Sequence, residues 1–240
     1  MLNCIRLNFI VEGTTEEIFV RDVLREFFAE KNIFVSARRV ETSRKQLRNV
    51  NYYRPGKQVR VYRGGVPSFE KVARDINRWL NEDPGAYLTT MFDLYALPND
   101  FPRFNKAMNR TDPYEKVKAI EEAFRKEINN SRFIPYIQLH EFEGLLFSNI
   151  EVINDVMGPY QDRSQLDKLR EIRSQFATPE DINDGVETAP SKRLLNLYSS
   201  YNKELFGSLI AKQIGIDIMR NECKHFNDWV VNLIGLTLYK

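Results

Sequence analysis

The stretch "NFIVEGTTEEIFV", residues 8–20, decides how the fold is read. Its first residues complete "CIRLNFIV" at 4–11, which mixes alternation with a closing apolar run and predicts a buried strand. Gly13 then turns the chain. Thr14, with Glu17 three residues on, forms a capping-box pattern, and Phe19, Val20, Val23, Leu24, Phe27 and Phe28 follow at helical spacing. The stretch therefore reads as strand, tight turn and helix (15 to about 30), with Glu12 at the carboxyl end of the strand. A surface acid on a turn and a metal ligand at a strand end both fit that position.

Working outward, "IFVSARRV" and "QVRVYRGG" read as strands, and residues 67–82 as a helix opening at Pro67-Ser68. "AYLTTMFDLYALPND" supplies a strand ending near Asp93, and a helix follows over roughly 113–129. "RFIPYIQLHEFEGLLF" carries a strand to about Leu139 and then converts to a short helix. Strands alternating with helices predict an α/β fold with a mainly parallel sheet. From residue 149 the pattern is helical, with segments near 149–157, 162–173, 191–205, 207–219 and 220–236. The expected organisation is an α/β core over 1–148, helices on both faces of its sheet, and a helical extension over 149–240 packed on that core.

Composition narrows the class. The 240 residues are 42% hydrophobic and 28% charged, as in an ordinary globular protein with a core of its own. Cys4 and Cys223 lie far apart with no CxxC spacing, which fits a reducing cytosol better than a disulfide framework. Arg6 and the acids that follow exclude a signal peptide, and no apolar run is long enough to span a bilayer. A cytoplasmic protein without a membrane partner is expected. Charge is uneven: between Asn32 and Pro67 stand nine bases and one acid, a window of +8 in a chain of net charge +2. Arg38, Arg39, Arg44 and Lys45 open this window, and Tyr52, Tyr53 and Tyr62 are interleaved with its bases. A phosphate backbone with stackable bases would suit such a segment, and so would water on a solvated face.

Three predicted strands end in acid: Glu12, Asp93, and the pair Glu141 and Glu143. Ligand sites of open parallel sheets lie at the carboxyl ends of strands, and hard oxygen donors suit Mg²⁺. If 141–143 stay extended, both glutamates point one way; if a helix has begun, they diverge and only one reaches the site. "HEFEG" lacks the second histidine of a zinc-protease motif, so His140 reads most simply as a strand-end residue. Cys223 and His225 diverge on a helix, which disfavours zinc, and "YRGGVPS" lacks the lysine of a phosphate-binding loop. Pro190 and Ser191 open a helix carrying Lys192 and Arg193, readable either as a phosphate site or as a capped surface helix.

These motifs carry a resemblance. "VEGTTEEIF" resembles the glutamate motif of Toprim domains, "MFDLYALPNDFP" their aspartate motif, and "LHEFEGLLFS" the acidic motif after the third strand in OLD-type proteins. With "APSKRL" and "CKHFNDWV", the set resembles the DUF4276 family of bacteria and archaea over nearly the whole chain. The resemblance implies a Toprim-like fold related to OLD-family nucleases. It implies Glu12 and Asp93 at the first two acidic positions and Glu141 or Glu143 at the third, with Glu12, Asp93 and Glu143 as expected catalytic residues and all four as expected metal ligands. Tyr95 stands where the second aspartate of a DxD pair is usual, so a single Mg²⁺ (or Mn²⁺) is expected, with Asp100 as a substitute ligand. The implied activity is a metal-dependent nuclease acting on DNA or RNA in anti-phage defence; the basic window and the helix start read above would hold the backbone through Arg38, Arg39, Arg44, Lys45, Lys192 and Arg193. The alternative is a non-catalytic nucleic-acid-binding subunit of an ATPase-containing complex. Expected partners are nucleic acid and a separately encoded ABC-class ATPase, with a homo-oligomer left open.

Overall fold

The computed structural model describes residues 4–40, 66–161, 163–183, 185 and 188–238. Most of the basic window, the strand predicted at "QVRVYRGG", and Arg44 and Lys45 therefore lie outside the described residues.

The chain begins with β1 (Ile5–Val11), a glycine turn and α1 (Thr14–Phe19). A π-helical turn (Val20–Leu24) joins α1 to α2 (Arg25–Ala29), and β2 (Ile33–Arg39) follows. The next elements are α3 (Phe69–Glu82), β3 (Tyr87–Asp93), α4 (Phe104–Met108) and α5 (Pro113–Ile128). Every described strand pair is parallel, in the order β2-β1-β3-β4. The last predicted strand is split at Pro135 into β4 (Phe133–Ile134) and β5 (Ile137–Gln138), both against β3. Proline has no N–H for the ladder. The Thr90 hydroxyl spans the break, accepting from Tyr136 N at 2.9 Å and donating to Tyr136 O at 3.0 Å.

Period-two alternation sends the strands' side chains to two buried clusters. Ile5, Leu7, Phe9 and Val11 pack with Phe19, Leu24 and Phe28 on one face. Ile10, Leu88 and Phe92 pack with Val72, Ile76, Ile120 and Phe124 of α3 and α5 on the other. Helices thus cover both faces of a parallel sheet.

Beyond a 3₁₀ segment (Phe142–Ser148) the chain is helical: α6 (Ile150–Met157), α7 (Leu166–Ser174), α8 (Pro190–Leu197), a π-helical turn (Lys203–Gly207), α9 (Ser208–Ile214), α10 (Ile216–Glu222) and α11 (Lys224–Gly235). Two predicted helices are shorter than their periodicity suggested. The one expected over 191–205 stops at Leu197, and the one expected over 207–219 breaks at Gly215, whose φ of 81° suits glycine alone. This helical part shares the first buried cluster. Phe226, Trp229 and Val230 pack beside Phe9 and Tyr136, with the Trp229 and Tyr136 rings stacked at 4.1 Å. The core is continuous across residue 149. Among the described residues no helix is long and apolar enough to cross a membrane.

Candidate metal centre at the strand ends

β1, β3 and β5 are neighbours and run the same way, so their carboxyl ends meet at one edge. Glu12 leaves β1 and reaches sideways, and its Oε2 accepts from the Asp93 N–H at 3.4 Å. Asp93, on the β3 face shared with Met91, accepts the Phe142 N–H on Oδ1 at 2.9 Å. That bond caps the 3₁₀ turn carrying Glu143, whose side chain is fully buried. Sequence position becomes spatial convergence through these two hydrogen bonds.

A fourth acid joins them. The N-cap of α1 is Gly13, not Thr14, and its N–H donates to Glu16 Oε2 at 2.9 Å. The capping partner is therefore Glu16 instead of the expected Glu17. A side chain on Gly13 would come within 3.1 Å of that oxygen. Thr14 is the first helical residue and its hydroxyl accepts from Arg39, while Glu17 pairs with Arg39 at 3.0 Å. Glu16 is 1% exposed, and its second oxygen, like both oxygens of Glu143, has no hydrogen-bond partner.

Opposite these acids stands Lys203, at the start of the π-helical turn. Its Nζ lies 3.8 Å from Glu16 Oε1 and 3.9 Å from Glu143 Oε1, and its side chain remains nearly half exposed. Gly207 lets this turn close in, since a Cβ there would meet the Tyr201 hydroxyl at 3.3 Å and Thr15 Cγ2 at 3.4 Å. At such distances Lys203 balances charge without satisfying the carboxylate oxygens. Tyr201 is buried against the same acids, which, after burial itself, raise its hydroxyl pKa well above the usual value.

Crowding shows in the protonation equilibria. Burial, then Glu16, push the Glu12 carboxyl up to about 7, with Lys203 and the Asp93 N–H pulling the other way. Burial raises Glu143 to about 7 as well, partly offset by Lys203. Asp93 is raised well above the carboxylate range by burial and by Glu12. The same acids raise Lys203 against the effect of its own burial. Strongly perturbed acids in one place are a signature of functional sites.

The other predicted residues have different posts. Asp100 accepts the Phe69 N–H on both oxygens, at 3.2 and 3.0 Å, so it caps α3 instead of joining the acids. Glu141 is close enough to raise Glu143, but its Oε2 accepts the Ser191 N–H at 3.0 Å. The start of α8, read as a phosphate site, is thus occupied by a carboxylate of the chain itself. Arg193 donates to Thr188 O at 2.6 Å and lies over Phe176, while Lys192 is exposed. Arg38 pairs with Glu82 at 2.6 Å and covers Trp79, and both Arg38 and Arg39 remain about half exposed.

The donor chemistry suits a hard cation, because the acids supply oxygens only and three of those oxygens are buried without partners. Yet among the described residues no three His, Cys, Asp or Glu side chains converge closely enough to enclose a metal ion as they stand. As they stand, Glu12, Asp93 and Glu143 are brought to one edge of the sheet without closing into a shell. Like charges repel, and the ammonium of Lys203 stands among them.

Fold and site define a class: a parallel α/β protein with a buried acid cluster at its strand ends. The chain belongs to the family described as a domain of unknown function, DUF4276, whose profile matches residues 11–234. Two solved structures of the C-terminal region of the Xanthomonas campestris pv. campestris OLD protein are similar, one phased with mercury and one with iodine. The first shares 16% identity over 97% of this chain and 98% of its own, the second 15% over 98% of each, both with a TM-score of 0.40. No protein of curated function matches.

Proposed function

We propose that this chain is a Mg²⁺-dependent phosphodiesterase acting on DNA or RNA, built on a Toprim-like sheet. The observation that carries the reading is the pair Glu16 and Glu143, buried with unpartnered oxygens beside Glu12 and Asp93 at the strand ends. Buried carboxylate oxygens without donors are costly, and natural proteins keep them where a cation or a substrate completes them. The motif resemblance at Glu12, Asp93 and Glu143 supports the same assignment.

Glu12, Glu16, Asp93 and Glu143 would hold Mg²⁺, or Mn²⁺ with the same donor preference. When bound, the ion supplies Lewis-acid polarisation of a phosphoryl oxygen and a lowered pKa for an attacking water. Glu12, whose carboxyl burial and Glu16 push up to about 7 in the metal-free protein, would serve either as a ligand of the ion or as the base for the attacking water. Lys203 supplies a fixed positive charge where negative charge develops on phosphate oxygens. Arg39, half exposed and paired with Glu17 beside the first turn of α1, would be available to a phosphate backbone.

The second reading, a non-catalytic subunit working with a separately encoded ABC-class ATPase, is favoured by Tyr95 in place of an acid and by the lack of a converged shell among the described residues. Cleavage separates the two. The purified full chain is expected to cut single- or double-stranded DNA or RNA with Mg²⁺ or Mn²⁺ and to stop on EDTA. Mg²⁺ should also raise its unfolding temperature at pH 8, because the ion binds only the folded acids. No cleavage and no thermal shift together would leave the second reading standing.

A further inference from the structure

Beside the acids, two aromatic rings lie close together, tilted to one another. Tyr95 lies in the 3₁₀ turn Leu94–Ala96 directly after β3, two residues from Asp93, and is 43% exposed. Its N–H donates to the His140 carbonyl at 3.4 Å, and the two rings stand 5.4 Å apart at 42°. His140 immediately precedes Glu141. Buried Leu94 and Leu139 anchor the two turns from below. The ring pair thus sits over the ends of β3 and β5, the strands that deliver Asp93 and Glu143.

Two observations set this pair apart from ordinary loop aromatics. His140 has φ of 60°, in the left-handed region that costs a side-chain-bearing residue energy and that concentrates at functional positions. Its ring is held: Asn183 Oδ1 accepts from Gly185 N at 3.0 Å, which fixes the amide, so Asn183 Nδ2 donates to His140 Nδ1 at 3.3 Å. The ring proton then belongs on Nε2, a donor edge with a set direction. A half-exposed phenol and an oriented imidazole donor are the parts needed to stack and hold a base while its phosphate lies next door.

We propose that Tyr95 and His140 form a shelf for an unpaired nucleobase of the strand whose phosphate lies at Glu12, Asp93 and Glu143. The shelf rests on the nucleic-acid reading above and deepens it: bases inside a duplex are already stacked, so it selects single-stranded or frayed substrate. The residue that departs from the usual acid at position 95 thereby gains a role of its own.

The test uses the full chain in EDTA, which stops metal-dependent cleavage, and a short single-stranded oligonucleotide carrying 2-aminopurine, whose emission is quenched on stacking. Quenching is expected on binding. Tyr95→Ala should abolish it and weaken binding about tenfold, the range for loss of one stacked base, while Tyr95→Phe keeps both. A blunt duplex with the same base should be insensitive to either change. Unaltered quenching and affinity in Tyr95→Ala, equal weakening for the duplex, or no binding by the parent chain would overturn the shelf. A free nucleoside monophosphate that displaces the oligonucleotide at equal concentration would overturn the strand assignment in favour of a free nucleotide. A chain that quenches but never cleaves with Mg²⁺ removes the phosphodiesterase reading and leaves the shelf. A chain that cleaves while Tyr95→Ala changes nothing removes only the shelf.

Discussion

The protein buries carboxylates in two places, and it treats them in opposite ways. Under α11, Glu180 is 1% exposed and fully engaged: it accepts the His225 and Phe226 N–H groups, both at 2.9 Å, and the Tyr114 hydroxyl at 3.2 Å. Its neighbour Glu121 accepts the Ile137 N–H at 2.8 Å and faces His225 Nε2 at 3.1 Å. At the strand ends Glu143 is buried just as deeply, yet neither oxygen has a donor at hydrogen-bond geometry, with Lys203 Nζ at 3.9 Å and the buried Tyr201 hydroxyl beside it. Burial alone therefore does not mark a site. The unmet bonding capacity does, because a structural acid is surrounded by donors and a working acid is left open for something that arrives later.

Mutation should pull the two clusters apart. The largest effect is expected at Glu12→Gln, an isosteric change that cannot take up a proton at neutral pH. Metal-dependent cleavage should fall about 10³-fold, within the range for a lost general base, with an unchanged far-UV spectrum and, because the buried carboxyl is itself raised to about 7, an unfolding midpoint above pH 7 no lower than the parent's. Retained cleavage would return Glu12 to an ordinary turn acid.

Next in size is Glu180→Ala, which orphans two N–H groups at the start of α11. Chemical denaturation should show a loss of about 3 kcal/mol, as when one partner of a buried charged network is removed, while cleavage per folded molecule stays near the parent value. A smaller effect of opposite sign is expected at Glu143→Gln. The folded-state pKa, pushed up to about 7, lies above the ordinary 4.5, so between those values the folded protein holds a proton that the unfolded chain releases. Stability therefore falls as pH rises from about 4.5 to about 7 and is level beyond. Removing the acid should stabilise the metal-free protein at pH 8 by on the order of 2 kcal/mol and flatten that decline, while abolishing the thermal gain from Mg²⁺. A destabilised Glu143→Gln would place this acid with Glu180 instead. Smallest is Thr14→Ala: since Gly13 holds the cap position, the change should cost no more than about 0.5 kcal/mol in the same denaturation experiment.

Much of this was legible in the sequence, because strands and their ends are local features. The apolar runs before Glu12, Asp93 and Glu141 announce β1, β3 and β5, and parallel crossovers then bring their ends together. Glu16 was in view but read past. An acid four residues after Glu12 returns toward it once the helix opens at Thr14, and attention to that spacing would have found it. Lys203 carried no such signal, being 60 residues beyond Glu143 in a turn whose importance depends on tertiary packing. Asp100 misled because a loop acid near a motif looks available until the N–H of α3 claims it. The π-helical turn at Val20–Leu24 is likewise missed by the helical period, since the four-residue steps Phe19, Val23 and Phe27 read as ordinary helix and suit a wider turn as well.

The late arrival of Lys203 has a consequence for how the molecule is made. During synthesis all four acids have been laid down by residue 143, and the ammonium that offsets them comes 60 positions later. Domains are completed from the amino end as the ribosome advances, so the sheet can be in place while its charged edge still repels itself. A chain interrupted in that interval keeps the sheet strands and every acid but lacks their counter-charge, and it also lacks Phe226 and Trp229, which close the core over Phe9. Electrostatic completion and hydrophobic closure thus depend on the same last stretch of chain.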